Sequence, residues 1–531
     1  MGDRPNNLRE LRHRLADAVL EERLGKQWYR RVKETKRRET SGRKSECSIV
    51  PEKLGQPPRG TQSREGSTRG SEPQVGDVPG QPGPENTYTK LLRIAELARL
   101  SPTTAFTSLA HHVDVDFLRE AYRRTRKDGA TGVDGQTAQE YAQDLEGNLA
   151  SLHERFKSGD YRAPAVRCVE IDKGNGKKRP LGIPTFEDKV LQRAVSMMLE
   201  SIYEQDFLPG SHGFRPGRSA HGALEEVRRG AMSTWGCWVL EADIQSFFDT
   251  LDHGALRAFL DRRVRDGVIR RAIDKWLKAG VLKDGSLRYR TEGTPQGGVI
   301  SPVLANIYLH EVLDVWFERD VKPRLQGQAR LLRYADDFVI LFTSEVDARR
   351  VLDVLPRRFG KYGLSLHPQK TRLIDFHRRE VSRASVARDA PARTFDLLGF
   401  THLWAPARSG HAVVWQKTSR KRLTRSARAA REWCREHRHD SLPAQHRALS
   451  AKLRGHYQYF GITGNYRALA ALSRCVERAW QRWLNRRDNG RTMPWPRFRR
   501  LLAHYPLPRP RVVHSVHRAR SEPDPLTSRM R

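Results

Sequence analysis

Two adjacent carboxylates, Asp336 and Asp337, sit inside an otherwise apolar run, LLRYADDFVILF (331–342). An unpaired charge on the buried face of a strand is strongly unfavourable. The pair therefore belongs either at an exposed turn or against something strongly positive. The run folds naturally as a hairpin, strands 331–334 and 338–342, with the aspartates at or beside the tight turn, where Asp is at home. Taken alone, the pair reads as a solvated Asp–Asp turn. It is not alone, because VLEADIQSFFD carries another strand into Asp243. In an antiparallel sheet, a hairpin tip and a neighbouring strand end bring three carboxylates within a few ångströms. They repel one another unless divalent cations lie between them. Hard, oxygen-seeking Mg²⁺ suits such donors, and two such ions support an in-line phosphoryl transfer.

The charge of the whole chain points the same way. Lys and Arg number 97 against 62 Asp and Glu over 531 residues, a net charge of +35. That excess suits a polyanion, nucleic acid above all. No long apolar span, signal peptide or lipidation motif is visible, so a membrane role is not expected. The cysteines, Cys47, Cys168, Cys237, Cys434 and Cys475, are widely spaced without a CxxC. Zinc sites and a disulfide framework are not expected, and a reducing cytoplasm is the default location.

The chain is long enough for two to four domains. Residues 1–38 read as a charged helical segment. Residues 39–86, rich in Gly, Pro and Ser without an aromatic, read as a linker. Helical periodicity runs through 87–155. Over 156–400 the elements mix: AVRCVEID and KKRPLGIP form a hairpin across KGNG, FEDKVLQRAVSMMLESIY is an amphipathic helix, and SPVLANIYLHEVLDVWF is a buried one. This order suggests an α+β domain with a mostly antiparallel sheet. Residues 401–500 read as an all-helical domain, and 501–531 as a basic tail. Residues 411–531 hold 28 Lys and Arg against 7 Asp and Glu. Aromatics are interleaved with them, and Arg454, Tyr457, Tyr459 and Tyr466 are candidate RNA contacts through phosphate pairing and base stacking. Each aromatic taken singly also suits the core of a helical bundle.

Other motifs converge on a nucleotide. DKGNGKKRPLGIP offers Lys173 and Arg179 on a hairpin able to fold over a triphosphate. GTPQGGVISP offers Gln296 in a Gly-rich loop that lets backbone approach a ligand closely. In sequence order, RPLGIPTFEDKVLQRAV, HGFRPGRSAHGAL, EADIQSFFD, GTPQGGVISPVLANIYL, RYADDFVIL, GLSLHPQKTRL and FDLLGF resemble the successive blocks of reverse transcriptases. With GATGVDG upstream and LRGHYQYFGITGNYRAL downstream, the chain most resembles bacterial group II intron reverse transcriptase/maturases, over about residues 86–515.

The resemblance implies a right-hand polymerase, fingers and palm followed by a helical thumb/maturase region. It implies Asp243, Asp336 and Asp337 as catalytic carboxylates on two Mg²⁺ ions, with the Ile244 carbonyl in the metal shell. Lys173, Arg179, Gln296 and Lys370 would serve the incoming nucleotide and primer. Phe248, five residues after Asp243, stands where related RNA polymerases carry a ribose-reading Asp, so deoxynucleotides are expected to be favoured. The implied partners are a group II intron RNA, a DNA target and primer, and deoxynucleoside triphosphates. The implied role is copying intron RNA into DNA while assisting splicing and mobility, in the cytoplasm and at the nucleoid. A C-terminal HNH nuclease is not expected, since His514 and His517 alone do not make one. Two other readings stay open: a splicing maturase with an idle polymerase, and a reverse transcriptase adopted by a defence or CRISPR locus.

Overall fold

The computed structural model describes residues 87–172, 178–233, 237–283, 286–288, 293, 297–378, 393–407, 409–487 and 493–515. The segments expected over 1–38 and 39–86, and the end of the basic tail, lie outside them.

The described chain begins with helices α1 (Thr87–Leu100), α2 (Val115–Arg124) and α3 (Leu145–Ser158), then strands β1 (Val166–Asp172) and β2 (Lys178–Ile183). Helices α4 (Phe186–Tyr203) and α5 (Ala220–Ser233) lead into β3 (Trp238–Asp243), followed by α6 (His253–Leu260) and α7 (Gly267–Leu277). Strands β4 (Val281–Lys283) and β5 (Ser286–Arg288) precede α8 (Ser301–Leu309), which continues in wider helical turns through Val321. Then come β6 (Ala329–Tyr334), β7 (Asp337–Phe342), α9 (Glu345–Gly360), β8 (Arg372–Asp375), β9 (Phe395–Leu397), β10 (Phe400–Pro406) and β11 (Ala412–Thr418). Helices α10 (Arg420–Glu436), α11 (Leu442–Phe460), α12 (Tyr466–Asn485) and α13 (Trp495–His504) complete the order.

The central sheet runs β6-β7-β3-β8 and is antiparallel throughout. Both its faces are covered, which is why FVILF is apolar at every position. Phe338, Ile340 and Phe342 point into the core made with α4, α8 and α9. Val339 and Leu341 point the other way, against α5 and the sheet β11-β10-β9. The sheet nearer the N-terminus, β2-β1-β4-β5, contains one parallel pair, β1 with β4, where the sequence suggests only a hairpin.

The segment from 401 departs from the all-helical expectation. FTHLWAP and AVVWQKT pair as an antiparallel hairpin before the helices start at Arg420. Their β-branched and aromatic residues favour strands, and the hairpin packs on the central sheet. Helices α10 to α13 then share one core around Trp480, whose Nε1 donates to Gln445 Oε1 at 2.8 Å. Helix α13 runs across residue 501, and Val513 N donates to Gly461 O at 2.6 Å, so the chain from 501 to 515 belongs to the bundle.

Asp188 of α4 is buried between the Tyr161 hydroxyl and Trp276 Nε1, both of which donate to it. Burial pushes its carboxyl up to about 7. The unfolded carboxyl releases its proton near about 4. Its stabilising contribution is therefore full below about pH 4 and is lost as pH rises through about 7. Asp188→Asn cannot ionise. The thermal midpoint of the variant minus that of the wild type is expected to grow between pH 5 and pH 8. A difference that does not change with pH would contradict this.

Candidate active site

The alternation of β3 and β7 sets three carboxylates at one end of the central sheet. Asp243 closes β3, Asp337 opens β7, and the two are register partners. Tyr334 pairs with Asp337 across β6 and β7, leaving Ala335 and Asp336 as a two-residue turn. Such turns need a left-handed residue, and Ala335 supplies it with φ 56°. Past Asp243, Ile244 bridges Leu366 through flanking bonds, Gln245 N to Ser365 O and His367 N to Asp243 O, both 2.8 Å. That bridge leaves the Ile244 carbonyl out.

The charges are coupled. Asp337 is open to solvent on one side but crowded by protein on the others. Burial, then Asp336 and Asp243, push its carboxyl up to about 6, against the pull of Lys370 and Arg422. Burial and Asp243 also raise Asp336, against Arg179 and Lys370. Lys370 Nζ donates to Asp243 Oδ2 at 2.7 Å. This half-exposed ion pair is of the weak kind that another cation displaces readily. Among the described residues no side chain donates to Asp336 or Asp337, and no group of three His, Cys, Asp or Glu side chains is close enough together to hold a metal ion. Asp336 and Asp337, crowded together beside an Asp243 that pairs with Lys370, are oxygen donors of the kind that hard divalent cations take.

The turn rests on a buried cradle that sequence reasoning misses. Arg333 is 1% exposed, and all its N–H groups are used. Nε and Nη2 donate to Asp314 at 2.9 and 2.6 Å, Nη2 also to Ser211 Oγ at 2.8 Å, and Nη1 to Asn306 Oδ1 and Ala335 O at 3.0 Å. The loop 210–214 pairs alongside β6, with His212 N on Arg333 O and Arg333 N on Gly210 O. Gly213 lies so close that a Cβ there would meet Ala335 N at 2.2 Å. The available signal is a charge inside each apolar run, Arg333 in LLRYADDFVILF and Asp314 in SPVLANIYLHEVLDVWF.

The remaining candidates divide. Arg179 lies on β2 and acts on Asp336. Lys173 and Gln296 lie outside the described residues, although Gly297, next to Gln296, packs against β2, where its Cβ would meet Gly182 O at 2.5 Å. Phe248 is half-buried, edge-to-face on Phe247 at 5.2 Å. Arg454 and Tyr466 are exposed on the helical bundle. Tyr457 is not available to RNA: it is 1% exposed, in the bundle core. It follows Leu449 and Leu453 at four-residue spacing, which puts it on the inner face of α11. Tyr459 is half-buried where the bundle meets the sheets, its hydroxyl donating to Leu398 O at 2.9 Å.

Residues 171–402 match the family model described as reverse transcriptase (RNA-dependent DNA polymerase). The chain is 37% identical over 260 residues to the group II intron-encoded protein LtrA of Lactococcus lactis subsp. cremoris, covering 46% of this chain and 42% of that one. It is 38% identical over 297 residues to protein YkfC of Escherichia coli (strain K12), covering 49% and 76%. The nuclear intron maturase 2, mitochondrial, of Arabidopsis thaliana is 28% identical over 220 residues, 32% of this chain and 30% of that one. The antiparallel sheet β6-β7-β3-β8, ending in the aspartate cluster, is the palm sheet of the reverse transcriptase fold. The chain belongs to the reverse transcriptase family, among its group II intron-encoded reverse transcriptase/maturases. It spans less than half the length of LtrA. Among the described residues no helix is long and apolar enough to cross a membrane.

Proposed function

We propose that the chain is an RNA-directed DNA polymerase that binds a group II intron RNA, assists its splicing and copies it into DNA. The observation that carries this reading is the coupled cluster of Asp243, Asp336 and Asp337, with Arg179 and Lys370 facing it. Asp243, Asp336, Asp337 and the Ile244 carbonyl would hold two Mg²⁺ ions. When bound, these lower the pKa of the attacking 3′ hydroxyl and stabilise the leaving pyrophosphate. Lys370 leaves Asp243 as that carboxylate takes up its role, and its ammonium turns to the nucleic acid. Arg179 pairs with triphosphate oxygens as a planar donor. The bundle supplies the RNA surface: Arg420, Lys421, Arg425, Arg428, Arg431 and Arg435 are all exposed on α10, a spacing suited to phosphates.

Purified protein is expected to extend a DNA primer on an RNA template with Mg²⁺ and to stop when Mg²⁺ is chelated. RNA binding without any extension would favour the maturase with an idle polymerase. Phe248→Ala is expected to relax sugar choice, raising ribonucleotide incorporation relative to deoxynucleotide by about tenfold or more, because the bulky ring crowds a 2′ hydroxyl and Ala removes that crowding. A variant that extends well yet rejects ribonucleotides as before would put the sugar gate elsewhere.

A further inference from the structure

Phe214 combines two features that folded chains normally avoid. Its ring is 56% exposed, more than any other phenylalanine among the described residues. Its backbone is left-handed, with φ 57°, where a bulky side chain is strained and glycine is not. The surroundings impose the strain. Gly213 O accepts from Asn306 Nδ2 at 2.7 Å. The buried Arg215 guanidinium donates to Glu204 and to the carbonyls of Leu208 and Ser211. A rigid loop thus presents the ring outward. Strain that neighbours over-determine in this way marks functional positions.

The ring stands beside Tyr334, centroids 6.4 Å apart, and Tyr334 is the register partner of Asp337. The loop that carries Phe214 leads into α5, where His221 Nε2 donates to Tyr459 O of α11 at 2.8 Å and the His221 ring packs on the Tyr459 ring, centroids 5.5 Å apart. Phe214 and Tyr334 therefore belong to the side of the helical bundle, away from the hairpin read as holding the triphosphate. What must reach the carboxylates from that side is the end of the strand being extended. We propose that Phe214 is a nucleic-acid contact, its ring packing on the sugar and base of the primer-terminal nucleotide. The proposal deepens the polymerase reading and rests on it.

The test compares Phe214→Gly and Phe214→Tyr with wild type on an RNA template annealed to a DNA primer. Affinity is read by fluorescence anisotropy without nucleotides, extension by single-turnover rates, and folding by thermal melting. Phe214→Gly is expected to melt no lower than wild type, since glycine relieves the strain. It should bind the primer–template about tenfold more weakly, as the loss of one base–aromatic stack implies. Phe214→Tyr keeps the ring and should stay within about twofold of wild type. Wild-type affinity and extension in Phe214→Gly, or equal damage in both variants, would overturn the proposal. Weaker binding by Phe214→Gly where no form of the protein extends a primer would uphold the contact and overturn the polymerase. A wild type that binds no primer–template would overturn both.

Discussion

Asp336→Asn is expected to lower RNA-templated DNA synthesis by more than about a hundredfold while leaving RNA affinity nearly unchanged. Asn keeps the size and the turn geometry of Asp but removes the negative charge. At Asp336 that charge is raised in energy by burial and by Asp243, the condition in which a bound cation is most strongly favoured. The loss falls on the transition state, because the basic face of the helical bundle proposed to bind RNA is untouched. Single-turnover extension and filter binding separate the two. Residual synthesis within about tenfold of wild type, some 1.4 kcal/mol in barrier, would overturn the assignment of Asp336.

Asp314→Ala is expected to destabilise the fold by about 3–5 kcal/mol, since it leaves the Arg333 charge buried without its carboxylate. Arg333 and Asp314 have side chains 0% and 3% exposed, so water does not replace the lost partner. Denaturant unfolding measures the loss, and a change of under about 1 kcal/mol, the range of a surface pair, would contradict it. The double variant Arg333→Met with Asp314→Leu should recover much of the stability, because apolar pairs of similar volume often match a buried ion pair. It should not recover synthesis, because the donor to Ala335 O is gone. Stability and activity would then part company in one protein. Full recovery of both would mean that the cradle holds the fold and nothing more.

The residues near the turn are legible in the sequence for local reasons. A period of two, a turn made by Ala335 and Asp336, and a strand ending in Asp243 define the hairpin and its neighbour before any tertiary contact is known. The hairpin Val166–Asp172 with Lys178–Ile183 and the helix Phe186–Tyr203 are legible in the same way. What escapes is long-range. Arg333 reads as one more charge beside the aspartates until Asp314, Asn306 and Ser211 are folded around it. Lys370 and Asp243 lie 127 residues apart, so only the resemblance brings Lys370 to the site. Tyr457 fails for another reason. Its four-residue spacing from Leu449 and Leu453 marks it as inner-face, but the basic composition around it draws attention to RNA. The strands Phe400–Pro406 and Ala412–Thr418 are likewise written in β-branched and aromatic residues, and the strongly basic helix that follows obscures them.

The cradle also sets a timetable. Ser211 meets Arg333 across 122 residues of chain, and Asn306 meets Gly213 across 93. Contacts so distant form late in folding, after the intervening segments have collapsed. During synthesis the loop at 210–214 leaves the ribosome long before its partners exist. The carboxylate turn then has no fixed shape until the segment through Asp337 has emerged. The aspartate cluster is therefore incomplete on any growing chain that has not yet reached Asp337.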